Sequence, residues 1–345
     1  MAIRVGVVGI GFMGRAHVGI YAKNPRAKLV AFCDVDPKKA SGDWGQGGGN
    51  LESGGLGIDP KTLRSHPTLE ELCADPEVDL VDICLPTYLH AEATLKALAS
   101  GKHVMCEKPL TMQVKDAEKI AAAAKKAKGF MMPAHCMRFW PEWAWLKEAV
   151  TSKRYGKVVS GVFRRYGSTP RWSWNQWILQ PKLSGSALFD LHIHDIDFVR
   201  YVFGDPVAVF AAGNGGKATK GGIDQVMATY LFKDPKLMVA AEGGWNADPS
   251  YGFTMRYTVV FEKATVDFDL GRQGKTLLLH TTDAKEPEVI TTATTNGWEG
   301  EVDYFLTCIE EKRRPTVTNA ADAVGSVKLA NAELKSVLTR KIVKL

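Results

Sequence analysis

Apolar residues in the first 136 positions come in short unbroken runs rather than in alternation. Segments 3–8, 29–33, 80–85, 103–106 and 130–135 read as strands. Segments 14–23, 68–74, 88–100 and 111–128 carry helical spacing between them. Thr111 and Gly129 read as the start and stop signals of the last helix. Continuous apolar strands are buried on both faces, which predicts a parallel sheet sandwiched between helices. Beyond residue 136 the pattern changes. A helix over 141–152, a strand over 157–166 and an aromatic-rich loop lead to a helix over 186–203. Strands with polar alternation follow at 206–212, 224–232, 237–244, 252–262, 265–270 and 275–280, and helices over 298–313 and 319–340 close the chain. Half-polar strands in series predict an antiparallel sheet with one solvated face. The expected division is an α/β domain over 1–136 and an α+β domain over 137–345.

The first strand stops abruptly at Gly9-Ile10-Gly11-Phe12-Met13-Gly14. A strand that ends in G-x-G-x-x-G and turns into a helix is the dinucleotide (Rossmann) fingerprint. In that reading Gly9 permits the tight turn, Gly11 lets the backbone approach a pyrophosphate, and Gly14 lets helix and strand pack closely. The free N–H groups of the helix start would face the anion. The second strand ends at Asp34, 20 positions after Gly14. That spacing suits the acid that holds a ribose 2′-hydroxyl, and a carboxylate there repels a 2′-phosphate, which favours NAD over NADP. Asp34 also opens the turn Asp34-Val35-Asp36-Pro37, a structural role that needs no ligand. Residues 41–58 hold eight glycines. They read as a surface loop that either folds over the adenosine or is a plain insertion.

Composition narrows the class. The net charge of +6 is spread over short clusters such as Lys312-Arg313-Arg314, which suit a solvated helix face better than nucleic acid. No run of 18 apolar residues predicts a membrane span. A strand starting at residue 3 leaves no room for a signal peptide. Six cysteines without C-x-x-C spacing read as small buried hydrophobes in a reducing cytoplasm.

Candidate chemistry lies at two places. The strand 103–106 runs into Glu107-Lys108-Pro109, so Lys108 stands at a carboxyl end, where ligands bind in open α/β sheets. A lysine, ordinarily of pKa about 10.4, acts there as a cationic donor, or as a base only if desolvated or set beside another cation. The second place is the helix over 186–203. It is apolar almost all round except for Asp190, His194, Asp197 and Tyr201, at spacings of 4, 3 and 4 on one face. His194 has the chemistry to exchange a proton near neutral pH, and Asp190 can orient it or bind a hydroxyl. A self-satisfied buried network is the competing reading. His192 and His194 form H-x-H, but two residues apart on a helix they point in different directions, so no metal is expected.

The ordered set VGVVGIGFMGRAHV (5–18), Asp34, LPTYLH (85–90), HVMCEKPL (103–110), MRF near 138 and SGSALFDLHIHDIDF (184–198) resembles the glucose–fructose oxidoreductase/inositol dehydrogenase/MocA-like family. The resemblance runs essentially from end to end. It implies an N-terminal Rossmann domain, and a C-terminal domain whose large open, mostly antiparallel sheet makes dimer or tetramer contacts. It implies that Lys108, Asp190 and His194 are catalytic. Gly9, Gly11, Phe12, Met13, Gly14, Asp34, Leu85, Pro86, Thr87, His90, Glu107 and Lys108 would hold NAD. Arg138, Tyr166, Arg171 and Trp174 are substrate-side candidates, in a stretch whose tryptophans suit either a sugar face or interdomain packing. The implied reaction is reversible oxidation of a secondary ring hydroxyl of a sugar or cyclitol. Two alternatives stay open: a glycosidase or epimerase using transient oxidation, and a non-catalytic NAD-sensing regulator, which should lack the Lys or His that this chain has.

Overall fold

The computed structural model describes residues 2–45, Gly49 and 56–345. Most of the glycine-rich stretch 41–58 therefore lies outside the described residues. The chain forms two compact units. The first is Met1–Cys136 with Arg171–Trp177 and Trp298–Val327; the second is Met137–Pro170 with Ile178–Gly297 and Lys328–Leu345.

The first unit alternates strand and helix: β1 Ile3–Val8, α1 Phe12–Lys23, β2 Ala27–Cys33, α2 Pro37–Ala40, β3 Arg64–His66, α3 Leu69–Ala74, β4 Leu80–Ile83, α4 His90–Ala99, β5 His103–Glu107, α5 Val114–Lys126 and β6 Met131–Ala134. All sheet pairings are parallel, in the order β3-β2-β1-β4-β5-β6. This is the doubly wound order, and its reversal between β1 and β4 opens a crevice at the carboxyl ends. Val5, Val7, Leu80, Val81, Ile83, Val104 and Met105 are all fully buried, as two-sided strands require. The unbroken apolar runs arise from that double burial. One strand escaped the hydrophobic pattern. β3 is Arg-Ser-His, and it adds to the edge through Ala31–Arg64 to Cys33–His66 pairing. Pro133 sits in β6 at the opposite edge, where a missing N–H breaks no ladder. Thr68 caps α3, its hydroxyl accepting from the Glu71 N–H at 3.2 Å. Thr111 does not cap α5, which starts at Val114; its hydroxyl accepts from the Gln113 N–H instead.

The second unit contains α6 Pro141–Ser152, β7 Val158–Ser168, α7 Pro181–Ser184, α8 Ser186–Asp190, α9 Ile193–Phe203, β8 Ala208–Asn214, β9 Gln225–Leu231, β10 Met238–Ala247, β11 Thr254–Phe261, β12 Ala264–Asp269, β13 Leu277–Thr281 and β14 Glu288–Val289. After it in the chain come α10 Gly297–Glu310, which from Trp298 belongs to the first unit, α11 Ala320–Thr339, which passes from the first unit to the second after Val327, and β15 Val343–Lys344 of the second. The nine-stranded sheet runs β14-β13-β12-β11-β7-β10-β9-β8-β15, antiparallel throughout except for the β7–β10 pair. Burial alternates along β9 and β12, as the polar alternation predicts. The covered face holds an aromatic cluster in which Trp143 meets Phe198, Tyr257, Phe163 and Phe268 at centroid distances of 4.7, 5.2, 5.8 and 6.1 Å. The other face leaves Val162, Phe210, Met227, Leu231 and Met238 exposed. No helix among the described residues is long and apolar enough to cross a membrane.

The helix expected over 186–203 is divided. Leu191 and His192 keep right-handed helical dihedrals, but the His192 N–H reaches five residues back to the Ala187 carbonyl at 2.8 Å. Such local widening is frequent at functional sites, and hydrophobic periodicity does not reveal it. Two buried ion pairs then lock α9. Asp195 holds Arg165 at 2.9 and 3.1 Å, and Asp197 holds Arg138 at 2.8 and 2.7 Å. Removing one partner leaves a buried charge uncompensated, which costs about 3–5 kcal/mol. Asp197→Ala is therefore expected to lower the unfolding free energy by about that amount in urea titration; a loss below about 1 kcal/mol contradicts this account.

Candidate active site

The glycines of the β1–α1 turn do three different things. Gly9 has φ of +88°, and a Cβ there would lie 2.7 Å from the Cys84 carbonyl oxygen. Gly14 packs so closely that a Cβ would overlap the Gly9 carbonyl oxygen. A Cβ on Gly11 would meet no atom of the described residues within 4 Å. Chain packing thus requires the first and last glycine, while the middle one keeps open the start of α1, where Phe12 and Met13 present their N–H groups. That open backbone cradle fits a dinucleotide's pyrophosphate. Asp34 closes the turn from β2. Its Oδ2 accepts from the Ile10 N–H at 2.7 Å and its Oδ1 from the Asp36 N–H at 2.8 Å. Both the structural and the ligand-facing reading of Asp34 are compatible with this, since each carboxylate oxygen can accept further donors. Phe12 is flanked by Trp172 and Trp298, at 5.5 and 6.1 Å, both from segments that return late to this unit.

Next in the crevice are the ends of β4 and β5. Leu85 and Pro86 follow β4, Thr87 is buried, and His90 starts α4. The two ring nitrogens of His90 face the carbonyl oxygens of Pro109 and Leu85, each at 2.7 Å. His90 thereby ties the turn after β4 to the corner after β5. That corner is Glu107-Lys108-Pro109, with a cis peptide at Lys108–Pro109. Glu107 is buried and accepts from the Lys108 N–H at 3.0 Å, whereas Lys108 is half-buried at the carboxyl end of β5. The sequence reading missed what stands behind Glu107. Fully buried His17 donates or accepts at Asp82 across 2.8 Å, and its other nitrogen lies 3.5 Å from Glu107 and 3.8 Å from Glu301. Asp82 was visible as an acid inside an apolar strand. Glu301 was not, because its place depends on a contact across nearly the whole chain.

In the second unit, Asp190 and His194 are the two residues with solvent access between positions 190 and 199. The rest of the expected polar stripe is scaffold. Asp197 is buried on Arg138, and Arg138 and Lys147 lie over the Tyr201 ring at 4.6 and 4.7 Å. Arg138, expected from the sequence on the substrate side, is 4% exposed and holds Asp197 with two nitrogens. Tyr166 is half-buried at the end of β7; burial, with Glu242 nearby, pushes its hydroxyl up to about 12. His192 is fully buried, 3.1 Å from Glu333, while His194 is partly exposed. The two therefore serve different environments. Arg171 and Trp174 are exposed residues of the first unit, and Trp172 rests on Phe12.

A family model described as "Oxidoreductase family, NAD-binding Rossmann fold" matches residues 3–135. A second, the GFO/IDH/MocA C-terminal domain, matches 143–267. The chain is 25% identical to inositol 2-dehydrogenase of Rhizobium meliloti over 99% of this chain and 98% of that protein. It is 29% identical to myo-inositol 2-dehydrogenase of Thermotoga maritima over 80% and 78%. A solved levoglucosan dehydrogenase, in complex with NADH and levoglucosan, has the same fold: TM-score 0.86, 22% identity, 100% and 99% coverage. The glycine turn, the doubly wound order and the mixed nine-stranded sheet agree with these likenesses, and the chain belongs to the Gfo/Idh/MocA family of NAD-binding oxidoreductases.

Proposed function

We propose that this enzyme reversibly oxidises a secondary ring hydroxyl of a sugar, sugar derivative or cyclitol. The observation that carries this is the selective exposure of Asp190 and His194 within the otherwise buried stretch 190–199, together with Lys108 at a strand end beside the glycine crevice. Relatives that are named inositol dehydrogenases, and the levoglucosan complex, support the substrate class. Gly9, Gly11, Phe12, Met13 and Gly14 would cradle the pyrophosphate. Asp34 would take the adenosine ribose, which favours NAD over NADP. Leu85, Pro86, Thr87, His90, Glu107 and Lys108 would line the nicotinamide half. When bound, NAD supplies the hydride acceptor.

In this reading His194 takes the hydroxyl proton, and the Lys108 ammonium steadies the oxygen as negative charge develops. Asp190 holds His194 or a neighbouring substrate hydroxyl. Positioning and a fixed cation are what the protein adds to the cofactor's chemistry. Tyr166, Arg171 and Trp174 are the remaining substrate-side candidates.

The direct experiment is a panel of inositols, aldoses, uronates and glycosides assayed for NADH and NADPH in both directions. Turnover of at least one cyclitol or sugar with NAD⁺ in preference to NADP⁺ is expected. A strong preference for NADP⁺ overturns the role given to Asp34, and cofactor retained without net NADH points to transient oxidation. On the substrate that emerges, Lys108→Ala should lower kcat by about 10²–10³ while NAD still binds; a change within a few-fold removes Lys108 from the mechanism.

Gly11 and Gly14 separate binding from folding. Gly11→Ala should leave thermal stability at the wild-type value and weaken NAD about tenfold, or ~1.4 kcal/mol, by calorimetry. Gly14→Ala should instead cost about 1–3 kcal/mol of stability. Equal NAD affinity in Gly11→Ala and wild type rules out the pyrophosphate reading of that turn.

The exposed apolar face of the nine-stranded sheet would pair with a second copy of the chain, giving a homodimer or homotetramer. Met227 and Met238 are 56% and 60% exposed, so charging them should not harm the fold. Sedimentation of the Met227→Glu/Met238→Glu double variant should show monomer where the wild type shows oligomer; an unchanged oligomer places the contact elsewhere.

A further inference from the structure

Among the described residues of the first unit, three buried acids share one imidazole. Asp82 and Glu301 are fully buried and Glu107 is 6% exposed. All three converge on the single imidazole of His17, from α1, at 2.8, 3.8 and 3.5 Å. The groups facing the cluster come from every element packed there: His17 and Tyr21 on α1, Asp82 with Cys84 on and after β4, Glu107 and Lys108 at the end of β5, and Glu301 on α10. Asp82 is satisfied by the near nitrogen of His17. Glu301 is different. Among the described residues, neither of its carboxyl oxygens has a hydrogen-bond partner, nor has the His17 nitrogen that faces it. A lone carboxylate in that position, beside two others, has no compensation for the water it has lost.

We infer that Glu301 is a positioning residue, held as a neutral carboxylic acid, which with His17 fixes Glu107 and so the Glu107-Lys108-Pro109 corner. The inference rests on reading that corner as the wall of the nicotinamide half of the site. A neutral acid removes from the buried cluster a negative charge that nothing there compensates. It also leaves Glu107 facing one cation, His17, rather than a second anion. The electrostatics agree in sign. Burial, reinforced by Glu107, pushes Glu301 well above the carboxylate range. Burial also pushes His17 down, but the carboxylate of Asp82, hydrogen-bonded to it, and that of Glu107 outweigh burial and hold the imidazole above its ordinary value. His17, Glu107 and Glu301 also bring ligand atoms within 4.8 Å of one another, so a bound cation is the competing occupant of the cluster. Glu301 arrives from a segment that rejoins the first unit some 190 residues after β5, with Trp298 of the same helix on Phe12. One returning helix thus braces both ends of the crevice.

The test compares full-length wild type, E301A and E301Q. A protonated-carboxyl C=O stretch should appear in the infrared difference spectrum between wild type and E301Q, without any cofactor. NAD binding by calorimetry should weaken about tenfold in E301A, and E301Q should restore most of it, since an amide is uncharged and fills the same space. On the panel substrate kcat should follow the same order. Absence of the infrared band, an E301Q as impaired as E301A, or a folded E301A that binds NAD like wild type each overturns the inference. Stoichiometric metal in purified protein by mass spectrometry overturns it as well. Should wild type itself fail to bind NAD, the functional reading fails, whereas the infrared band still decides the state of Glu301.

Discussion

The close approach of α1 to the end of β1 is the constraint on which the nucleotide side depends. Helix and strand can meet only where side chains are missing, so Gly9 and Gly14 are demanded by the chain itself. With those two in place, the turn must climb over β4, and the first N–H groups of α1 are left facing the crevice. Asp34 then secures the turn by accepting from Ile10, at the point where a ribose-binding acid would stand. A single steric requirement therefore fixes the loop, the helix dipole and the acid together. Of the three glycines in the turn, Gly11 is the one whose place no packing among the described residues requires, which makes it the position that speaks most clearly for a ligand.

Across the crevice the physics shifts from sterics to charge. His90 ties the corner after β5 to the turn after β4, and the His17 cluster supports that corner from behind. Lys108 is presented from a backbone braced on both sides. In the second unit, α9 is braced in the same manner by Arg165 and Arg138. That leaves Asp190 and His194 as the accessible polar groups of their stretch. In both units, buried ion pairs hold the frame while the groups with chemistry to offer keep access to solvent.

The parallel sheet was legible in the sequence because two-sided burial writes unbroken apolar runs, and the glycine roles because they are steric. β3, β14 and β15 were not, since short or polar edge strands carry no hydrophobic signal. The widened turn at Leu191–His192 left no trace in helical periodicity, because the apolar positions on either side keep their spacing. The Arg138–Asp197 pair was not legible, because the two partners lie 59 positions apart and no local pattern joins them. Glu301 and Trp298 were unreadable as site residues, because no local pattern reports that a late helix returns to the first unit. Asp82 was the missed opportunity, a carboxylate inside a strand that is otherwise wholly apolar.

The central claim is hydride transfer between a ring carbon and the cofactor. It is tested most directly by supplying the accepted sugar or cyclitol with deuterium on the carbon that bears the oxidised hydroxyl. The NADH formed is then examined by NMR. The account requires one deuterium at nicotinamide C4, on a single face, and a slowed rate when hydride transfer limits turnover. NADH free of the label, or product formed with the deuterium exchanged into water, would contradict it.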